Sequence, residues 1–241
     1  MEPEVNIFNN STELSRRAAD EFVRLAKSAV KNGNRFAVVL SGGSTPRLLY
    51  RLLASEYREK IQWSSVHLFW GDERYVPHDD PQSNYLMVKE ALLDHIEIPR
   101  ENIHPMPVHF SDPEAAARSY ETDLKAFFHD GNCRFDLLLL GLGTDGHTAS
   151  LFPGSPVLRE QERWVRTAIA PPGMPSSMRL TLTLPVINNA LNVWFLVSGA
   201  EKKSVARSIL YGTNDAENHY PAAMVKPEGR LVWMVEKNAI D

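Results

Sequence analysis

Cysteine is almost absent: Cys133 is the single one in 241 residues. That excludes an intramolecular disulfide and any multi-cysteine metal cage, and it fits a reducing compartment. Long hydrophobic runs are missing too, and none approaches the roughly 20 residues needed to span a bilayer. The opening Met1-Glu2-Pro3-Glu4 lacks the basic and apolar regions of a secretory signal, so a cytoplasmic location is expected. No excess of one charge exists either, since the formal net charge is only −4. Neither nucleic acid nor membrane is therefore an expected partner, and an anionic ligand would need a local basic cluster. Internal repeats, low-complexity tracts and linkers are all lacking. With 43% hydrophobic residues, the chain reads as one folded domain over 1–241. A monomer is expected, because neither an exposed heptad nor an apolar patch stands out.

Short apolar runs alternate with amphipathic stretches, the pattern of strands alternating with helices. Strands are expected at Phe36–Leu40, Val66–Trp70, Asp136–Leu140, Val193–Val197 and Leu231–Val235. A half-exposed strand is expected from Met178 to Leu184, where apolar and polar residues alternate. Nearly continuous apolar strands imply a sheet covered on both faces. Helices are marked by their starts. Asn10 precedes Glu13 in a capping-box-like spacing, and Leu14, Ala18, Phe22, Leu25 and Ala29 follow at helical intervals. Asp112-Pro113-Glu114 places a cap, a proline and an acid before Ala115 to Phe128, and Thr45-Pro46 does the same for Arg47 to Leu53. A further helix is expected from Ala200 to Leu210. The expected architecture is a three-layer α/β/α sandwich with a mostly parallel, Rossmann-like sheet.

Ligands of open α/β sheets bind at the carboxyl ends of the strands. Three polar segments fall there. Ser41-Gly42-Gly43-Ser44-Thr45-Pro46 follows the first expected strand; its glycines and the helix start behind them suit a phosphate or carboxylate. A Walker loop is excluded, because the Gly-Lys-Ser/Thr ending is missing. Gly71-Asp72-Glu73-Arg74 follows the second, with Ser83-Asn84 downstream. Charges directly after a buried strand must be paired or used: Arg74 can grip a phosphate or polarise a carbonyl, or can form an internal ion pair with an acid.

Gly141-Leu142-Gly143-Thr144-Asp145-Gly146-His147 follows the third. Its first six residues match the dinucleotide pattern G-x-G-x-x-G, but Pro153 and Pro156 interrupt the long helix that pattern requires, and no strand follows before Glu162. A nicotinamide cofactor is therefore not expected. A lone histidine is usually structural, but His147 lies at the expected carboxyl edge with Asp145 two residues away, an acid able to orient the ring. No G-x-S-x-G elbow and no H-E-x-x-H helix occur, and His104 and His109 are badly spaced for one helical face. No metal is expected. Arg179 and Lys202 are basic residues near later strand ends. With the Ser41–Ser44 loop they can converge on a phosphate.

Taken in order, these segments resemble the 6-phosphogluconolactonase family over nearly the whole chain, within a fold shared with glucosamine-6-phosphate deaminase and ribose-5-phosphate isomerase. The carrying motifs are Ser41 to Pro46, Gly71 to Arg74 with Val76-Pro77, Ser83-Asn84, and Gly141 to Pro153, the last being the specific one. The resemblance implies hydrolysis of a phosphorylated sugar lactone in the oxidative pentose phosphate pathway, without metal or organic cofactor. It implies His147, Asp145 and Arg74 as the catalytic group, and Ser41, Gly42, Gly43, Ser44, Asp72, Arg179 and Lys202 as substrate or phosphate ligands. The related deaminases carry G-H-I-A-F-N-E-P where this chain has Gly146 to Pro153, so Phe152 replaces their glutamate. They also tend to have Asp-Glu-Tyr in place of Asp72-Glu73-Arg74. Both departures favour the lactonase over a deaminase/isomerase-like enzyme. A non-catalytic sugar-phosphate sensor is the third alternative; such sensors carry a DNA-binding segment before the sheet and need not keep the histidine loop.

Overall fold

A computed structural model describes residues 3–31, 35–129, 131–212 and 216–241; Met1 and Glu2 of the opening tetrapeptide lie outside them. The strands are β1 (Glu4–Phe8), β2 (Phe36–Leu40), β3 (Val66–Trp70), β4 (Asp72–Arg74), β5 (Ile103–His104), β6 (Leu137–Leu140), β7 (Val165–Ile169), β8 (Met178–Leu182), β9 (Asn192–Val197) and β10 (Arg230–Glu236). The helices are α1 (Ser11–Lys31), α2 (Ser44–Ser55), α3 (Asn84–Ala91), α4 (Pro113–Phe127), α5 (Leu184–Asn188), α6 (Lys203–Tyr211) and α7 (Ala216–His219).

Seven strands form one sheet in the order β1-β10-β9-β6-β2-β3-β5, and every neighbouring pair is parallel. All residues of β2 and β6 are buried, odd and even positions alike. Burial on both sides of the pleat means that both faces of the sheet are covered. The α/β/α layering is thus observed as expected. After β2 the chain runs outward through β3 and β5, then returns to place β6 on the other side of β2. The loops after β2 and β6 diverge at this reversal, the crevice where such sheets bind ligands.

A second, antiparallel sheet of order β4-β8-β7 leans on that edge. The Leu182 N–H donates to the Gly71 carbonyl (2.8 Å) and fixes it to the end of β3. This sheet corrects the reading of Met178 to Leu184. The strand ends at Leu182, Leu184 opens α5, and Arg179 to Leu182 are buried rather than half-exposed. Polar Arg179 and Thr181 face the site and the loop beside it, so alternation there does not mean solvent.

The helix starts follow their chemistry. Glu13 N–H donates to Asn10 Oδ1 (2.9 Å), and the Glu13 carboxylate accepts from Asn9 N–H (3.1 Å). Asp112 accepts from Glu114 and Ala115 N–H, capping α4. Thr45 is not a cap: α2 begins one residue earlier, with Gly43 before it at φ +110°. The Thr45 hydroxyl instead meets Ser198 Oγ at 2.5 Å. The helix expected from Ala200 begins as one 3₁₀ turn, Ala200–Lys202, before α6. Asp136 lies just outside β6, accepting from Ala37 N–H (2.7 Å). Among the described residues, no helix is long and apolar enough to cross a membrane.

Candidate active site

The loops after β2, β3, β6 and β9, with β8, enclose a cleft of about 350 Å³. A larger groove of about 1210 Å³, lined by Arg58, Trp63 and Asp94 among others, touches none of the parallel strands' carboxyl ends.

One wall is the turn from β2 into α2. Gly43 adopts φ +110°, which side chains disfavour, and turns the start of α2 toward the cleft. A Cβ on Gly42 would stand 2.0 Å from Asn84 Oδ1, so the backbone here runs hard against α3. Ser41 is held from α2: its N–H donates to the Tyr50 hydroxyl (3.0 Å), which donates back to the Ser41 carbonyl (2.9 Å). The Ser41 side-chain oxygen is buried without a hydrogen-bond partner.

The loop after β6 carries His147. No helix follows it; Thr148 and Leu151 form a single antiparallel bridge, and Pro156–Arg159 makes a 3₁₀ turn. A dinucleotide-binding reading fails here in structure as well as in sequence. The His147 Nδ1 lies 2.5 Å from Asp145 Oδ1, and the same oxygen accepts from His147 N–H (3.1 Å). Burial pushes the Asp145 carboxyl upward, but the hydrogen bonds and charge of His147 outweigh it and hold the group below its ordinary value. An ionised carboxylate only accepts, so Nδ1 carries the hydrogen, and in the neutral ring the lone pair is left on Nε2. Phe152 is buried with its ring centroid 4.9 Å from that of the imidazole. Ala149 takes φ +48°, and beyond it Ser150 Oγ donates to Asp72 Oδ2 (2.8 Å). Asp72 thus bonds to the histidine loop rather than to Arg74.

The opposite wall is basic. Arg74 on β4 sits directly across from Arg179 on β8. Directly opposed cations repel, a repulsion that the nearby Asp72 and Glu73 charges offset in part and that a bound anion would relieve further. Arg179 is 4% exposed. Burial, with the charge of Arg74, lowers its pKa. It also holds the turn before β8, donating to the carbonyls of Pro175 and Ser176. Arg74 Nη1 donates to the Gln82 carbonyl (2.6 Å), and its Nε is buried without a partner. Lys202, 21% exposed at its side chain, reaches the cleft from the turn after Gly199, 4.0 Å from Glu201.

The cleft therefore gathers Ser41, Gly42, Gly43, Ser44, Asp72, Arg74, His147, Arg179 and Lys202, with Asp145 behind His147. The sequence motifs included Asn84 and Ser150 without giving either a ligand role, and sequence reasoning missed Ser198, Met174 and Pro175 as lining residues. Asn84 had a signal, because it stands at a helix start one residue after a serine cap. Met174 and Pro175 had none. They reach the site only through the bend between β7 and β8. Among the described residues, no group of three or more His, Cys, Asp or Glu could hold a metal ion.

The family described as glucosamine-6-phosphate isomerases/6-phosphogluconolactonase matches residues 9–233. The chain belongs to this family. A 6-phosphogluconolactonase of Synechocystis sp. is 43% identical over 99% of this chain and 98% of its own length. One from Mycobacterium tuberculosis is 37% identical over 99% and 98%. The structure of 6-phosphogluconolactonase from Trypanosoma brucei superposes with a TM-score of 0.86 at 31% identity, covering 99% of this chain and 97% of that one. A monomeric glucosamine-6-phosphate deaminase shares the fold, with a TM-score of 0.83 at 21% identity.

Proposed function

We propose that the chain hydrolyses 6-phospho-D-glucono-1,5-lactone to 6-phosphogluconate in the oxidative pentose phosphate pathway. The observation that carries this reading is the Asp145–His147 pair, 2.5 Å apart, in a cleft whose other wall holds Arg74 and Arg179. One end offers a base, the other an anion site, as a phosphorylated lactone requires.

His147 Nε2 takes a proton from water while the water oxygen bonds to the lactone carbonyl carbon. The carbonyl electrons move onto oxygen, and N–H groups of the glycine loops stabilise the oxyanion. Asp145 keeps the ring oriented and stabilises its charged form. The oxyanion then collapses, the bond from C1 to the ring oxygen breaks, and Nε2 returns its proton to that oxygen. The resulting acid loses its own proton to solvent. Ser41, Gly42, Gly43 and Ser44, with Arg74, Arg179 and Lys202, hold the phosphate; Asp72 lines the path between the two ends. General-base action contributes typically about 10²–10⁴-fold, sufficient for an already reactive ester.

Phe152 argues against a deaminase, because it fills the space beside His147 with an apolar ring where that chemistry needs a second acid. The decisive measurement follows hydrolysis of freshly generated lactone above its spontaneous rate, with glucosamine 6-phosphate in parallel. Catalysed lactone opening alone is expected. Ammonia release from the amino sugar, with no lactone effect, would overturn the reading.

A further inference from the structure

Glu73 lines neither the cleft nor the groove on the far side of Arg74 and is wholly buried, and a charge in that position needs a reason. Its carboxylate accepts four hydrogen bonds: Arg74 N–H (2.7 Å), Asn84 N–H (2.7 Å), Tyr85 N–H (2.7 Å) and Ser83 Oγ–H (3.1 Å). Three of these donors belong to the turn that opens α3. The residue just before them, Gln82, gives its carbonyl to the Arg74 guanidinium. The residue in their middle, Asn84, donates to the Asp72 carbonyl (2.9 Å) and braces Gly42 of the β2 loop. One buried carboxylate therefore ties strand β4 to the turn that aims Arg74 and supports the glycine loop.

We propose that Glu73 is a positioning residue for the anion-binding wall: its ionised carboxylate holds the 82–85 turn, and through that turn sets Arg74 and Asn84. The inference rests on the proposed use of that wall for the substrate phosphate. A protonated carboxyl would turn one accepting oxygen into a donor facing donors, so the turn would lose part of its anchor. Burial pushes the Glu73 carboxyl up to about 7, against the pull of the Asn84, Tyr85 and Arg74 N–H groups, and the charge of Asp72 adds to the rise. Arg74 on the same strand, Arg179 on β8 and Tyr85 on α3 are the other titratable groups around it. Neutralising Glu73 would by charge alone strengthen anion binding, and so would protonation of His147. Loosening of the turn acts in the opposite direction.

Sulfate separates the two effects, since it stays a dianion across the range and requires no turnover. Calorimetric titration of the wild-type protein with sulfate is expected to show affinity falling several-fold as pH drops through about 7. In Glu73→Gln the affinity should be weak and rise or stay level as pH falls. Kinetically, Glu73→Gln should raise KM about 10-fold with kcat little changed, and add little further loss in an Arg74→Ala background. Sulfate binding to the wild type that tightens at low pH overturns the proposal, as does full additivity with Arg74→Ala. The wild-type titration stands even if Glu73→Gln fails to fold. Absent lactone hydrolysis with the expected sulfate behaviour would instead strike only the proposed reaction.

Discussion

His147 and Asp145 are joined twice, by the ring Nδ1 at 2.5 Å and by the backbone N–H at 3.1 Å, both to the same carboxylate oxygen. The acid therefore sets the backbone turn and the ring with one atom. Asp145→Asn places an amide there, which can present N–H to Nδ1 and stabilise the wrong tautomer. We expect kcat to fall about 10²–10⁴-fold in Asp145→Asn and in His147→Ala, with little change in KM. Lactone hydrolysis measured above background checks this, and near-wild-type turnover in His147→Ala would remove the histidine from the mechanism. Because the Asp145 carboxyl is held below its ordinary value, its contribution to stability is present above the unfolded value and lost only as pH falls through the lower folded one. Loss of activity nearer neutrality must therefore come from another group.

Gly143 lies beneath that pair. A Cβ there would stand 2.0 Å from His147 Nδ1 and 2.6 Å from Asp145 Oδ1. Gly143→Ala should displace the imidazole without straining the backbone. The expected result is a kcat loss on the order of 10²-fold at nearly unchanged thermal stability. A variant of normal activity would show that the loop yields freely.

Removing Arg179 or Lys202 from the anion wall should act on binding. Arg179→Met and Lys202→Ala are each expected to raise KM about 10-fold or more, with a smaller effect on kcat. Arg179→Lys should not restore KM, because an ammonium cannot reproduce the forked contacts to Pro175 and Ser176. A fall confined to kcat would move these residues to the reacting carbon.

A pH effect on stability should arise far from the cleft. His104 stacks on Phe69 at 4.3 Å between ring centroids and meets His67 Nδ1 at 3.2 Å through its Nε2. Burial, then the charges of His67 and Arg35, push its pKa down to about 4. The unfolded chain thus holds more protons than the folded one between about 6.5 and 4, so stability is full above that window and declines as pH falls through it. We expect a loss of about 2 kcal/mol across the window, followed by denaturant titration, and a flatter profile in His104→Phe. Equal slopes in the two proteins would place the effect elsewhere.

The parallel sheet was legible in the sequence because its central strands are short, continuous apolar runs: Phe36–Leu40 and Val66–Trp70 were read to the residue. β4 was not, since Asp72-Glu73-Arg74 has no apolar residue and pairs only because β8 lies beside it. β1 and β7 are partly exposed edge strands whose patterns are weak. At the site, residues brought in by a glycine loop or a strand end were visible, because polar groups there stand out against apolar neighbours. Glu73 was not separable from Asp72 and Arg74 until the turn before α3 was in place, for its four donors come mainly from ten to twelve residues downstream.

The antiparallel sheet gives the two ends of the cleft separate mountings. His147 hangs from the central parallel sheet, whereas the arginine pair rides on β4 and β8, joined to that sheet through Gly71, the Ser150–Asp72 and Leu182–Gly71 contacts and the Glu73 bonds to the α3 turn. The span between His147 and the two arginines is therefore set by how the antiparallel sheet is seated. A change in the seating of β4 and β8 could resize the accepted sugar while the proton-transfer machinery stayed in place. Selection for a longer or shorter phosphate ester would accordingly act also on contacts beneath this sheet, such as Leu182 with Gly71, that lie outside the cleft lining.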